Sequence, residues 1–246
     1  MLDVAAIEGL ATELEKKHPS DILTFALREY GTELALSFSG AEDVALIDMA
    51  ARTGLPFRVF TLDTGRLHGQ TYAFLDTVRD RYRLAIEAYY PQPDVLQALV
   101  TKKGNFSFYA DGHQECCGIR KVEPLRRALG DLRAYVTGQR KDQSPATRTF
   151  LPVVQVDTAF STPERELVKF NPLANWTSAQ VWQYIREQDV PYNPLHDVGF
   201  RSIGCEPCTR ATNPGEHERA GRWWWEEATQ RECGLHVINQ GGNGAH

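Results

Sequence analysis

The sequence contains no apolar run approaching the ~20 residues that a membrane-spanning helix requires, so no such span is expected. It has no basic start followed by an apolar stretch. Asp3 and Glu8 come early instead, and no secretory signal is expected. It has no excess of positive charge: 27 Lys and Arg against 32 Asp and Glu give a net charge of −5. Binding to nucleic acid or to an anionic membrane is therefore not expected, and an anion site must be a local basic patch. Cysteine is scarce, with five in 246 residues. Without an export signal, those thiols point to a reducing cytoplasm, where they bind metals or react and do not form structural disulfides.

Hydrophobic residues make up 42% of the chain, ample for a sizeable core. Ile7, Leu10 and Leu14 follow Val4 on one face of a helix expected over 3–17. A second helix is expected over 20–30, stopped by Gly31. Short apolar runs at 34–38, 57–62, 85–90 and 132–137 read as strands, with helices expected at 43–53, 68–82, 94–102 and 117–129. Pro124 argues for a late start or a kink in the last of these. Residues 104–114 and 139–149 read as loops, the second mobile. Residues 153–156 and 166–170 suit a hairpin, Thr177 or Ser178 a helix cap, and 223–229 a short helix. The glycine-rich tail at 241–244 reads as disordered. Strand–helix alternation implies an α/β fold, a parallel twisted sheet with helices on both faces. With no internal repeat or clear linker, 1–246 reads as one domain: N-terminal helices at 1–31, an α/β core at 32–210 and a C-terminal segment at 211–246.

Ser37-Phe38-Ser39-Gly40-Ala41-Glu42-Asp43 falls between a predicted strand and a predicted helix. Gly40 lets backbone approach a ligand, the serines supply hydroxyls, and the helix start offers free N–H groups to an anion. In an open α/β sheet this is the expected place for a ligand. Leu62-Asp63-Thr64-Gly65 ends the next strand on the same side, and Asp63 taken alone reads as a turn cap. Arg140, Lys141 and Arg148 share one loop, and Arg219 and Arg222 precede Trp223-Trp224-Trp225. Taken singly, each cation reads as a solvated surface charge. At least two of the three tryptophans are expected to dock on the core.

Four of the five cysteines form the pattern Cys116-Cys117, 87 residues, Cys205-x-x-Cys208. Thiolates gathered from two distant stretches usually hold a metal or an iron–sulfur cluster. Adjacent Cys116 and Cys117 strain the tetrahedron around a single zinc ion, whereas a [4Fe–4S] cube offers each cysteine its own corner. A zinc site and a redox-active C-x-x-C remain the other readings. Cys233 stands apart between Arg231 and His236, and positive charge beside a thiol favours the reactive thiolate.

These stretches resemble the sulfonucleotide reductases. The Ser37–Asp43 loop is similar to the SGGxDS loop of ATP pyrophosphatases, but Ala41 and Val44 replace a glycine and a serine there, as in the sulfonucleotide reductase variant. Glu115-Cys116-Cys117-Gly118-Ile119-Arg120-Lys121 and Gly204-Cys205-Glu206-Pro207-Cys208 resemble the two cluster motifs of the assimilatory branch that uses adenosine 5′-phosphosulfate (APS). Relatives using the 3′-phosphorylated substrate (PAPS) mostly lack those cysteines. The resemblance implies an adenine-nucleotide hydrolase-like fold with a flexible C-terminal segment, and one [4Fe–4S] cluster on Cys116, Cys117, Cys205 and Cys208. It implies substrate contacts from Ser37, Ser39, Gly40, Asp43, Leu62, Asp63, Lys121, Gly138, Arg140, Arg148, Arg219 and Arg222. Lys121 would lie near both cluster and substrate. Glu232-Cys233-Gly234-Leu235-His236 resembles the catalytic motif, so Cys233 would attack the substrate sulfur, release AMP and hold an S-sulfocysteine. Thioredoxin would then free sulfite. Family precedent implies a homo-oligomer. The alternatives are PAPS reduction, a non-catalytic nucleotide-binding iron–sulfur sensor, and an ATP-dependent adenylating enzyme.

Overall fold

The computed structural model describes residues 4–144 and 148–227. Cys233, His236 and the glycine-rich tail lie outside the described residues, as do 145–147 of the arginine-bearing loop.

Helices α1 (Val4–Leu14) and α2 (Pro19–Tyr30) come first. Pro19 starts α2 where its missing N–H costs nothing. Gly31 ends it at φ +51°, donating its N–H to the Leu27 carbonyl. Four parallel strands follow: β1 (Leu34–Ser37), β2 (Arg58–Leu62), β3 (Ile86–Tyr89) and β4 (Ala134–Val136). Between them run α3 (Ala41–Arg52), α4 (Gly69–Tyr82), α5 (Pro93–Lys103), α6 (Phe108–Asp111), α7 (Gln114–Cys117) and α8 (Glu123–Ala128). The hairpin forms as β5 (Val154–Val156) antiparallel to β6 (Val168–Phe170), and α9 (Ser178–Glu187) follows, capped by Thr177. The sheet order is β3-β2-β1-β4-β6-β5, and β6 runs parallel to β4.

Side chains alternate across the strands, so β1 feeds two cores. Leu34 and Leu36 join buried residues of α1, α2, α3, α4 and α9 on one face. Ala35 joins Leu125, Ala128 and Leu129, from α8 and its end, on the other. Helices therefore cover both faces, as the alternation predicts. No helix among the described residues is long and apolar enough to cross a membrane.

Three elements differ from the sequence reading. The segment expected as a loop at 104–114 contains α6, and the next helical run begins at Gln114 rather than Cys117. Pro124 has no N–H for the Arg120 carbonyl. The chain ahead of it widens into a π turn over Gly118–Val122, where the Glu123 N–H reaches Gly118. No helix forms over 223–227, because Trp223 sits at φ +42°, a left-handed conformation that interrupts one.

The sheet order has one functional consequence. From β1 the chain moves outward through β2 and β3, then returns to place β4 on the other side of β1. The connections at the carboxyl ends of β1 and β4 diverge, leaving a crevice between them.

Candidate nucleotide cleft and thiol cavity

Asp43 organises the loop after β1. One carboxylate oxygen accepts from the Ser39 N–H (2.8 Å), the Ser39 hydroxyl (2.8 Å) and the Gly40 N–H (3.0 Å). The other accepts from the Gly138 N–H at 2.8 Å, tying this loop to the end of β4. Burial pushes the Asp43 carboxyl up to about 6, against the pull of the Ser39 and Gly138 donors. Gly40 is extended (φ −157°), and a Cβ there would meet only the Glu42 carboxylate, at 3.6 Å. Its glycine thus serves the open space beside it and not the turn. Gly138 has no such room, since a Cβ would lie 2.5 Å from the Glu42 Cβ.

The two loops wall a cleft with a cavity volume of about 240 Å³. Ser37, Ser39, Gly40, Asp43, Leu62, Lys121, Gly138, Arg148, Arg219 and Arg222 all line it. Asp63 does not; it accepts from the Gly65 N–H (2.8 Å) and the Tyr72 hydroxyl (2.9 Å), which is the turn-cap geometry. Arg140 is also off the cleft wall. It is 1% exposed and pairs with Glu42 (3.0 Å), Asp142 (3.1 Å) and Glu218 (3.1 Å). It stitches the β1 loop to the segment carrying Arg219 and Arg222. Glu42, Gln143, His196, Arg201 and Glu218 line the cleft without having been marked by the sequence. Of these, Glu42 lay within the loop after β1 and Gln143 within the arginine-bearing loop, and the other three lay in no flagged motif.

At one end the cleft meets a second, smaller cavity. Cys116, Cys117, Cys205 and Cys208 line it together with Arg66, Phe108, His113, Arg120, Lys121 and Trp223. The fold brings the distant cysteine pairs together through the loop after β2. Leu67 bridges to Cys205, and the Glu206 N–H donates to the Arg66 carbonyl at 2.8 Å. Arg120 donates to the Thr64 carbonyl at 2.6 Å, and the Thr64 hydroxyl lies 3.2 Å from the Cys205 sulfur. Trp223 packs under the thiols, with Arg222 over its ring at 4.6 Å and Lys121 at 5.6 Å. His113 stacks on the same ring at 4.3 Å and meets the Glu226 carboxylate at 2.6 Å; it faces the thiols and not the cleft.

Burial alone would raise the Cys205 thiol, yet Lys121, the Thr64 hydroxyl, Arg222 and Arg120 together hold it below the ordinary value. Burial, with the neighbouring Cys205, pushes Cys208 up to about 12. Among the described residues, no three His, Cys, Asp or Glu side chains group tightly enough for a single metal ion. All four thiols nonetheless line the one cavity. Arg66 Nη1, Arg120 Nε and Trp223 Nε1 are buried there without a hydrogen-bond partner. Four thiols on one cavity wall together with unpaired N–H donors are a donor set that fits a group whose own sulfur atoms accept hydrogen bonds.

Residues 33–211 match the family described as phosphoadenosine phosphosulfate reductase domain. The chain belongs to that family. Within it, the adenosine 5′-phosphosulfate reductase of Pseudomonas aeruginosa is 58% identical over 233 residues, covering 95% of this chain and 87% of that protein. 5′-Adenylylsulfate reductase 3 of Arabidopsis thaliana is 57% identical over 97% of this chain, which spans 53% of the plant protein. Among solved structures, the phosphoadenylyl-sulfate reductase of Candida auris superposes with a TM-score of 0.70 at 29% identity, covering 86% of this chain and 98% of that one. Candida glabrata FMN adenylyltransferase shares the fold, with a TM-score of 0.57 at 13% identity, over 85% of this chain and 71% of its own.

Proposed function

We propose that the protein reduces APS to sulfite and AMP, with Cys233 as nucleophile, a [4Fe–4S] cluster on the four clustered thiols, and thioredoxin as reductant. The observation that carries this reading is the shared wall: Lys121, Cys205 and Trp223 line both the cleft and the thiol cavity. A nucleotide whose adenosine lies by Leu62 and the loops after β1 and β4 would extend its anionic end toward Lys121 and Arg222. Cationic donors there would hold the mixed anhydride and stabilise charge on the departing phosphate.

The Cys233 thiolate attacks the sulfur, the sulfur–oxygen bond of the anhydride breaks, and AMP leaves with that electron pair. A thioredoxin thiolate then attacks the Cys233 sulfur, releasing sulfite and leaving a mixed disulfide. Its second thiol resolves this disulfide and restores Cys233, so the dithiol supplies both electrons. The cluster, when bound, would supply fixed negative charge that orients Lys121 and Arg222. Asp43, with all four of its contacts inside the protein, shapes the loop and does not touch substrate in this reading. Arg140 acts likewise. None of the four described cysteines forms a disulfide, in keeping with a reducing compartment such as the cytoplasm.

With thioredoxin present, the purified protein is expected to release sulfite and AMP in equal amounts from APS, and to turn over PAPS far more slowly. Cys233→Ser is expected to release none. Equal rates with PAPS would change the substrate. Nucleotide binding without turnover, or pyrophosphate release from ATP, would overturn the reading.

A further inference from the structure

We propose that His196 hydrogen-bonds a ribose hydroxyl of the bound nucleotide. The residue belongs to a 3₁₀ turn, Pro194–Val198, which the Asn193 side chain caps by accepting from the Leu195 N–H at 3.0 Å. Asn193 also donates to the Thr71 hydroxyl at 3.1 Å, anchoring the turn to α4. The imidazole packs edge-on to Trp182 with ring centroids 4.9 Å apart, which fixes its orientation. The Phe200 backbone lies beside the ring without meeting hydrogen-bond geometry. Among the described residues neither ring nitrogen has a hydrogen-bond partner, and both nitrogens are buried.

A buried polar atom left unpaired is destabilising. A ring held in place at that cost, on the wall of a cleft, points to a ligand that supplies the missing partner. Its chemistry narrows the ligand group. Burial lowers the basicity of His196 despite the nearby Glu42 carboxylate, so the ring is neutral and offers one donor and one acceptor. Glu42, on the same cleft, adds acceptor oxygens already shared with Arg140 and Gln143. A neutral ring with one donor and one acceptor matches a hydroxyl, which both donates and accepts, whereas a phosphate could use only the donor. Cations for the anionic groups are present on the same cleft, at Arg148, Arg201 and Arg219, and beside the thiols, at Lys121 and Arg222, so the anionic end does not need His196. The hydroxyl-bearing part of an adenine nucleotide is its ribose.

This inference rests on the adenine-nucleotide reading of the cleft, and the experiment separates the two. AMP, 2′-deoxy-AMP and 3′-deoxy-AMP are titrated calorimetrically into the full-length wild type, His196→Phe and His196→Gln. The wild type should bind AMP and lose about tenfold in affinity for one deoxy analogue, the size of one hydrogen bond. His196→Phe should lose about tenfold for AMP and nothing further for that same analogue, while His196→Gln regains part of the loss. Equal loss by His196→Phe on all three ligands, or no loss on AMP, overturns the assignment while leaving the nucleotide reading intact. A wild type that binds none of the three overturns that reading and the assignment with it.

Discussion

Replacing Cys208 by serine should strip the iron from the anaerobically purified protein. About four irons per chain are expected in the wild type, with the brown colour of a single cube, and close to none in Cys208→Ser. Cys208 is 7% exposed, and its carbonyl accepts from the Trp223 N–H at 3.2 Å, so its side chain cannot swing away without moving the cavity floor. Serine is a poor thiolate substitute for iron. Lys121, Arg120 and Arg222 surround the thiols. Without a cluster they lose the negative charge they face, and Arg66 Nη1, Arg120 Nε and Trp223 Nε1 stay unpaired. Metal binding of this kind is folding energy, so the thermal midpoint should fall by several degrees. Full iron content in Cys208→Ser, or one zinc and no colour in the wild type, would remove the cluster from the account.

Gly138→Ala is the second large effect. The added methyl would lie 2.5 Å from the Glu42 Cβ, 2.7 Å from an Asp43 carboxylate oxygen and 3.0 Å from the Asp43 backbone nitrogen. None of these is the loose end of a flexible side chain. The loops after β1 and β4 must separate, which stretches the bond from the Gly138 N–H to Asp43. Overpacking of this kind costs roughly 1–3 kcal/mol, and the lost hydrogen bond to a buried carboxylate about 1.5–3 kcal/mol more. Denaturant unfolding should show a loss in that range, and AMP affinity should fall at least about tenfold as the crevice widens. An alanine variant with wild-type stability and affinity would mean that these loops do not set the cleft.

Much of this site is legible in the sequence because its signals are local. A glycine- and serine-rich turn after an apolar strand marks the β1 loop, and cysteine spacing marks the cavity. The hairpin of β5 and β6 and the cap at Thr177 are local signals too. What is illegible depends on partners far along the chain. Arg140 reads as a substrate cation, and nothing near it announces Glu42 or Glu218, which lie 98 and 78 positions away and take its guanidinium. His113 finds its carboxylate 113 positions on, at Glu226. His196 carries no motif of its own; burial and the lack of partners around its ring make it visible. The triple tryptophan has the composition of a docking helix, but tertiary packing of Trp223 beneath the thiols overrides helix formation there.

In the proposed reaction four sulfurs are structural and one is chemical, a division of roles that one experiment can read. It is tested most directly by mixing the protein with APS in the absence of any thiol reductant, digesting it, and mapping the cysteine peptides by mass spectrometry. The mass of one SO₃ group is expected on the peptide holding Cys233, stoichiometric with AMP released, and none on Cys116, Cys117, Cys205 or Cys208. The same adduct on any of those four, or AMP release with no adduct at all, would contradict it.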